Sequence, residues 1–258
     1  MTNHLHALTT RARLGVVTDM DGTISPIALR PEDAQVTPRA RDLLRQLHRR
    51  IALVAVVSGR AAADVHAKVG LPELVYVGNH GLERWRDGEI EIVPEAAAAR
   101  TPLAAAAAEL RPKLLPGMQL EDKGVTLAIH YRLADDPAAA QALFAPLVRT
   151  AAASYGLAAF EGRMIFELRP SLEIDKGTIF RRLVAEYALD AAVYLGDDTT
   201  DADALQTARA LREAGTCYAL AVGVASAETP DVVRAASDLL VPGVAGVEHW
   251  LEMLLNAL

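Results

Sequence analysis

The sequence predicts an α/β fold, a doubly wound parallel sheet carrying a small inserted α+β domain, and three observations predict it. Short apolar runs recur at Leu14–Thr18, Ile51–Val57, Leu74–Val77 and Ala191–Leu195, and continuous runs of that length suit strands buried on both faces. Segments of helical spacing lie between them, and strand-helix-strand alternation is the mark of a parallel sheet. From about Thr101 to Arg169 the texture differs, with proline-broken helix and alternating strand in place of buried runs. The core is therefore placed at 1–100 plus 170–258, and the insert at 101–169.

The elements follow in order. Leu14-Gly-Val-Val-Thr18 is the first strand and runs into Asp19-Met-Asp-Gly-Thr23. Thr37 and Pro38 read as a helix cap and first turn, and Ala40, Leu43, Leu44 and Leu47 follow at helical spacing. Ile51–Val57 is the second strand, ends in Ser58-Gly-Arg60, and precedes an alanine-rich helix. Leu74–Val77 is the third, followed by Gly78-Asn-His-Gly81 and a hairpin through Asp87-Gly88, a favoured two-residue turn. In the insert, Pro102 starts a helix reaching about Arg111, and Pro112, Pro116 and Gly117 break the chain. Lys123–Arg132 alternates as one strand through Val125, Leu127, Ile129 and Tyr131. Asp136-Pro137 caps a further helix, with Pro146 as an interruption. Arg163–Arg169 is another strand, with Met164, Phe166 and Leu168 on one side and Arg163, Ile165 and Glu167 on the other. Lys176-Gly177 leads into a helix carrying Ile179, Leu183 and Val184, and Ala191–Leu195 ends in Gly196-Asp-Asp-Thr-Thr-Asp201. Cys217–Val222 and Asp238–Val241 are two more strands, and Val247, Leu251 and Leu254 mark a closing helix.

Composition narrows the function classes. The chain has 258 residues, 52% of them apolar, and a formal charge of −7. That balance argues against nucleic acid or an anionic membrane surface as partner. An anionic substrate then needs local cations or a metal. The single cysteine, Cys217, excludes an internal disulfide and reads as a core residue in a reducing, cytoplasmic setting. No apolar run approaches the ~20 residues of a membrane helix. Met1–Thr10, with His4 and His6, reads as neither a signal peptide nor an ordered or metal-binding segment.

Two carboxylates at the end of a buried strand are costly unless they are solvated, paired or bound to a metal. Alternation sends Asp19 and Asp21 to the same side, and Gly22 permits a sharp turn. In open α/β sheets ligands bind beyond the carboxyl ends of the strands. Two hard oxygen donors there suit Mg²⁺, and a metal beside a carboxylate suits phosphoryl chemistry. Ser58, Lys176 and the acids Asp197, Asp198 and Asp201 occupy comparable places. Converging on one crevice, they supply a nucleophile, an acid, a phosphate clamp and a metal cage. Plainer readings stand beside this one: a solvated turn at Asp19 and Asp21, a helix cap at Ser58-Gly59, a surface lysine, and an N-cap at 196–201.

Asp19-x-Asp-Gly-Thr23, Ser58, Lys176 and Gly196-Asp-Asp-x-x-Asp201, in that order, resemble the four motifs of the haloacid-dehalogenase-like phosphatases, whose core is Rossmann-like. The resemblance implies that Asp19 attacks phosphorus to form an aspartyl phosphate, and that Asp21 protonates the leaving oxygen and later activates water. Asp21 must then carry a proton in the substrate complex, which its surroundings have to favour. It implies Mg²⁺ held by the side chains of Asp19 and Asp197 and the main-chain carbonyl of Asp21, with Asp198 and Asp201 holding metal waters or orienting other ligands. Ser58 would donate to the phosphate, and Lys176 would neutralise both phosphate and Asp19.

Gly78-Asn-His-Gly-Leu-Glu83, Glu121-Asp-Lys123 leading to His130-Tyr-Arg132, Phe166-Glu-Leu-Arg-Pro170 and Ser25-Pro26-Ile27 are similar to the trehalose-6-phosphate phosphatase branch. A disaccharide phosphate presents hydroxyls to which lysine and arginine donate and from which carboxylates accept. The resemblance implies a sugar site at Glu121, Lys123 and Glu167, with Arg60, Asn79, His80 and Arg132 as further substrate contacts. It also implies hydrolysis of this sugar phosphate in trehalose biosynthesis, beside a trehalose-6-phosphate synthase. Plainer readings remain here too: a loop ion pair at Glu121 and Lys123, a solvated Glu167, a turn at Asn79-His80, and a structural His130. So do other functions, namely a sibling phosphatase for sucrose 6-phosphate or mannosyl-3-phosphoglycerate, a non-catalytic sugar-phosphate sensor, and a pure interaction domain. Two departures stand out: Leu205 where the branch carries an aromatic, and Glu173-Ile-Asp175 setting acids ahead of Lys176.

Overall fold

The computed structural model describes residues 2–258 apart from Asp87, Arg163 and Glu228. The turn expected at Asp87 and the strand start expected at Arg163 therefore lie outside the described residues. In chain order, α1 (Thr2–Thr9) precedes β1 (Leu14–Thr18), α2 (Pro38–His48) leads to β2 (Leu53–Val57), and α3 (Ala62–Val69) leads to β3 (Val75–Gly78). Next come β4 (Glu83–Arg86), β5 (Glu89–Ile92), α4 (Pro94–Ala98), α5 (Arg100–Leu110), β6 (Gln119–Asp122) and β7 (Leu127–His130). These are followed by α6 (Pro137–Ser154), β8 (Leu157–Gly162), β9 (Ile165–Pro170) and α7 (Lys176–Glu186). The chain closes with β10 (Ala191–Gly196), α8 (Ala202–Glu213), β11 (Tyr218–Ala225), α9 (Asp231–Ala236), β12 (Leu239–Pro242) and α10 (Gly243–Ala257). Two compact units share it, Met1–Ile90 with Ile174–Leu258, and Glu91–Glu173. The first break precedes the texture change at Thr101 because α4 packs on α5.

The larger unit is built on a sheet ordered β12-β11-β10-β1-β2-β3-β4-β5. Pairing is parallel from β12 to β3, and β4 runs antiparallel to β3. Strand order reverses at β1, so the crevice beyond the carboxyl ends of β1 and β10 is the topological switch point. Alternation divides the core. Val16, Val54, Val193 and Val222 pack with Leu8, Leu44, Leu47 and Trp250. Val17, Ala55, Ala192 and Ala221 pack on the opposite side with Phe180, Leu183, Leu205 and Leu211. With both faces covered, the strands read as unbroken apolar runs. Thr37 caps α2, its hydroxyl accepting from the Ala40 amide at 3.1 Å. Cys217 is buried, which pushes its thiol up to about 11.

One expectation is corrected here. The N-terminal segment is an ordered helix, with Leu8 fully buried and His4 Nδ1 2.9 Å from the Tyr218 hydroxyl. Leu8 and the partly buried Leu5 dock two helical turns on the core, a signal too small for periodicity to register.

The smaller unit holds an antiparallel sheet ordered β6-β7-β9-β8. Leu127, Ile129, Phe166 and Leu168 bury one face of it against Leu103, Leu110, Phe144 and Val148 of α5 and α6. Three expectations change. The strand expected over Lys123–Arg132 is shorter, and β6 precedes it across a turn in which the Lys123 amide donates to the Thr126 carbonyl at 3.0 Å. The edge strands β6 and β8, Gln-Leu-Glu-Asp and Leu-Ala-Ala-Phe-Glu-Gly, lack a sustained period-two pattern because one face is open and edges tolerate polar residues. Met164 sits in a turn at φ 60 and is 39% exposed, so it does not share the buried side of Phe166. Helix α6 runs unbroken through Pro146, capped by Asp136 accepting from the Ala139 amide at 3.0 Å. No helix among the described residues is long and apolar enough to cross a membrane.

Candidate active site

Register brings the distant motifs level. Thr18 pairs with Leu195 on one side and Val56 on the other, so Asp19, Ser58 and Asp197 all emerge just past the ends of adjacent strands. The Asp19 amide still donates to the Leu195 carbonyl at 2.8 Å. Gly22, at φ 84, then folds the chain back, its amide donating to Ser25 O at 2.7 Å. A Cβ on Gly22 would lie 2.2 Å from Asp197 Oδ2, so only glycine lets the two loops approach this closely.

Lys176 is the hub of the cluster. It opens α7, whose cap is Asp175, accepting from the Thr178 amide at 2.7 Å. The Asp175 carboxylate is thus spent on the helix end. The Lys176 ammonium, 3% exposed, donates to Asp19 Oδ1 and to Asp201 Oδ1, both at 2.7 Å. Burial opposes its charge, but the two carboxylates outweigh that and hold it firmly protonated. Asp201 is fully used: the Tyr194 hydroxyl also donates to Oδ1 at 2.7 Å, and the amides of Asp197 and Asp198 donate to Oδ2 at 3.2 and 3.0 Å. It therefore shapes the 196–201 loop and anchors the lysine. Burial raises the Asp19 pKa well above the ordinary carboxylate range against the pull of Lys176, and Asp201 and Asp197 add to the rise.

The donor set fits a hard divalent cation. Carboxylate oxygens of Asp19, Asp197 and Asp201 lie within 4.8 Å of one another, and all three residues are buried. Three buried acids face one lysine, an excess of negative charge that a cation relieves. Since Asp201 already has four donors, Asp19 and Asp197 are the carboxylates best able to bind one. Asp198 is half-buried, its amide tied to Asp201.

Asp21 points elsewhere. Its carboxylate forms a two-pronged pair with Arg60, whose Nε donates to Oδ2 at 2.6 Å and Nη2 to Oδ1 at 3.0 Å. Arg60 also donates to Asp64 at 2.8 Å. Arg60, expected to touch substrate, is thus engaged by two acids of its own unit. Ser58 is buried, its Oγ accepting from the Arg60 amide at 3.2 Å. Asn79 is fully buried and His80 nearly so, which sets both behind the Ser58 loop and not on an open surface.

In the smaller unit, cross-strand register lines up Glu121, Ala128, Glu167 and Phe160 on the sheet face opposite α5 and α6. Glu167 is buried between two cations: Lys123 Nζ lies 3.2 Å from Oε1, and Arg169 binds Oε2. The Arg169 guanidinium stacks over the Phe160 ring, 4.5 Å from its centroid. His130 Nε2 lies 2.9 Å from Glu121 Oε2, and Arg132 is half-buried just past β7.

Sequence reasoning passed over Tyr194, Asp64 and Phe160, and named Thr23 and Arg169 within motifs without giving them a role. A signal existed for Tyr194, because a hydroxyl inside an apolar strand must find a partner. Thr23 Oγ1 lies 3.5 Å from Asp197 Oδ1. No local signal marks Asp64 and Phe160, whose partners Arg60 and Arg169 come from another turn or strand.

Residues 17–232 match the family model described as trehalose-phosphatase. The trehalose-phosphate phosphatase of Mycobacterium marinum is 40% identical over 200 residues, covering 74% of this chain and 50% of that protein. That of Mycobacterium tuberculosis strain H37Rv is 39% identical over 194 residues, covering 72% and 49%. The chain thus spans about half the length of the curated relatives it matches. Among solved structures, the C-terminal domain of Candida albicans trehalose-6-phosphate phosphatase superposes with a TM-score of 0.82 at 23% identity, covering 100% of this chain and 97% of that one. A haloacid dehalogenase-like hydrolase from Bacteroides thetaiotaomicron gives 0.65 at 13% identity, covering 94% and 100%. These two likenesses establish the shared fold.

Proposed function

The chain belongs to the trehalose-phosphatase family, and from that premise we propose that it hydrolyses trehalose 6-phosphate to trehalose and phosphate through an aspartyl phosphate on Asp19. The observation that carries this reading is the Lys176 ammonium, 2.7 Å from both Asp19 and Asp201 in a buried acidic crevice. Asp19 Oδ attacks phosphorus while the bond from phosphorus to the sugar oxygen breaks, and Asp21 gives that oxygen a proton. Asp21 then takes a proton from the water that attacks the aspartyl phosphate, and Asp19 is released. Both Asp21 oxygens accept from Arg60 at present, so that pair must open before Asp21 can act as an acid. Lys176 fixes Asp19 and offsets phosphate charge, and Ser58 donates to a phosphoryl oxygen. Mg²⁺, held by Asp19, Asp197 and the Asp21 main chain, would supply the remaining neutralisation of charge.

In the smaller unit, Glu121, Lys123, Arg132 and Glu167 offer donors and acceptors suited to the second sugar. Glu167, clasped by Lys123 and Arg169, presents a preset pattern of charge to hydroxyls. The substrate would come from a trehalose-6-phosphate synthase in the same cytoplasmic compartment, a setting that suits the lone buried Cys217.

Phosphate release is the test, measured on trehalose 6-phosphate, sucrose 6-phosphate, mannosyl-3-phosphoglycerate and glucose 6-phosphate, with Mg²⁺ and with EDTA. Trehalose 6-phosphate is expected to be favoured by about tenfold or more in kcat/KM, with EDTA abolishing release. Faster release from another substrate reassigns the specificity, and no release from any sinks the hydrolase. Asp19→Asn should lower kcat by about three orders of magnitude or more with the fold intact. Retention of a few per cent of activity would move the nucleophile elsewhere.

A further inference from the structure

We propose that the Gly78–Glu83 segment is a brace for the Ser58–Arg60 loop, and that Glu83 is a positioning residue that acts through Ser58. The inference rests on the reading above in which Ser58 holds the phosphate. Its starting point is a helix without a cap of its own. Helix α3 begins directly after Ser58-Gly-Arg-Ala61, and Ala61 at its N-cap offers no side-chain acceptor. The exposed end of a helix needs acceptors for its first amides. Glu83, from 21 residues further along the chain and 6% exposed, provides one, with Oε2 accepting from the Ala62 amide at 3.0 Å. A carboxylate there also faces the positive end of the helix dipole.

Three more ties hold the loop, one from Val77 of β3 and two from the segment itself. The Ser58 amide donates to Val77 O at 2.9 Å, the His80 amide to Ser58 O at 3.0 Å, and the Asn79 amide to Arg60 O at 2.7 Å. Ser58 and Arg60, the two ends of the loop, are thereby both tied to the chain that leaves β3. Two glycines permit the contact. A Cβ on Gly59 would lie 2.5 Å from His80 Nε2, and one on Gly78 would lie 2.2 Å from the Ala62 amide nitrogen. The brace also carries backbone strain. Asn79, His80 and Gly81 stand at φ 46, 55 and 106, three successive residues in the left-handed region. Asn79 is of a type that tolerates that conformation, whereas for His80 it is less favourable and is held by surrounding contacts. Asn79 and His80, expected to touch substrate, act in this account from behind the loop.

The test is a double-mutant cycle, reading kcat and KM for trehalose 6-phosphate, with melting temperature and circular dichroism as folding controls. Glu83→Ala should fold and lose about tenfold in kcat/KM, and Glu83→Gln, which keeps an acceptor oxygen, should recover most of that. In a Ser58→Ala background the Glu83→Ala cost should shrink to less than about twofold, since the hydroxyl being positioned is gone. A merely stabilising glutamate would lower the melting temperature while its kinetic cost stayed equal in both backgrounds. If Glu83→Ala fails to fold, Gly59→Ala, which drives His80 off the loop, takes its place in the cycle. A silent or additive Glu83→Ala beside an impaired Ser58→Ala overturns the brace alone. An unimpaired Ser58→Ala overturns the phosphate role of Ser58, and the brace with it.

Discussion

Lys176 lies 3% exposed between two carboxylates, with a third buried acid alongside, so its charge offsets part of what the crevice holds. Removing one partner of such a cluster leaves buried charge uncompensated, at a cost of about 3–5 kcal/mol. Lys176→Met should therefore lower stability by that order in metal-free buffer, by chemical denaturation, and millimolar Mg²⁺ should restore part of it by binding the folded state. No recovery with Mg²⁺ would argue against a cation site among Asp19, Asp197 and Asp201. Gly22 makes a second residue-scale case. Gly22→Ala sets a methyl group against Asp197 and forces an alanine to φ 84, so Mg²⁺ affinity should fall by about tenfold or more in titrations of activity. The residue types at these positions were legible in the sequence, because acids and a lysine at strand ends have few low-energy fates. Their pairings were not. That Arg60 takes Asp21, or that Tyr194 serves Asp201, depends on which loops meet.

At the scale of elements, short polar locks join what the core packing brings near. Asp238, at the start of β12, accepts from the Arg212 guanidinium of α8 at 2.6 Å and from the Ala221 amide of β11 at 3.0 Å. Burial works against the Asp238 anion, but the Arg212 and Ala221 hydrogen bonds outweigh it and lower its pKa below the usual value. A depressed carboxylate adds stability above its unfolded pKa of ~3.9 and loses that contribution as pH falls through the folded value. Asp238→Asn should therefore cost about 1–3 kcal/mol at pH 7, and the gap from wild type should close as urea midpoints are measured below about pH 4. A gap that stays constant with pH would remove the ion pair from the account. Strands buried on both faces were readable from the sequence, whereas β6 and β8 were not. An edge strand with one open face carries too little apolar alternation to stand out. Helix α1 escaped for the same reason, and Leu8→Ala should cost about 2–4 kcal/mol if its docking matters.

The whole molecule comprises two compact units. One has a sheet with two apolar faces and the acidic crevice, and the other a sheet with one apolar face against helices and a charged row on the opposite face. Separate cores allow a substitution in one unit to leave the other folded. Glu167→Ala should raise KM for trehalose 6-phosphate by about tenfold, while hydrolysis of p-nitrophenyl phosphate, which has no second sugar, changes less than about twofold. Equal losses on both substrates would mean that Glu167 serves the fold and not the sugar.

The sequence by itself determined the fold class, the buried strands, the acids and serine set where strands end, and the lysine at the start of a helix. Strand and helix periods arise from local backbone sterics, and the cost of burying charge is a property of each residue type. Only the tertiary structure decided who meets whom: Lys176 with Asp19, 157 residues apart, Glu83 with the end of α3, and Arg169 with Glu167 under Phe160. Partner choice follows from strand order and register, which are settled by packing the whole sheet at once, and no local stretch of chain encodes that alone.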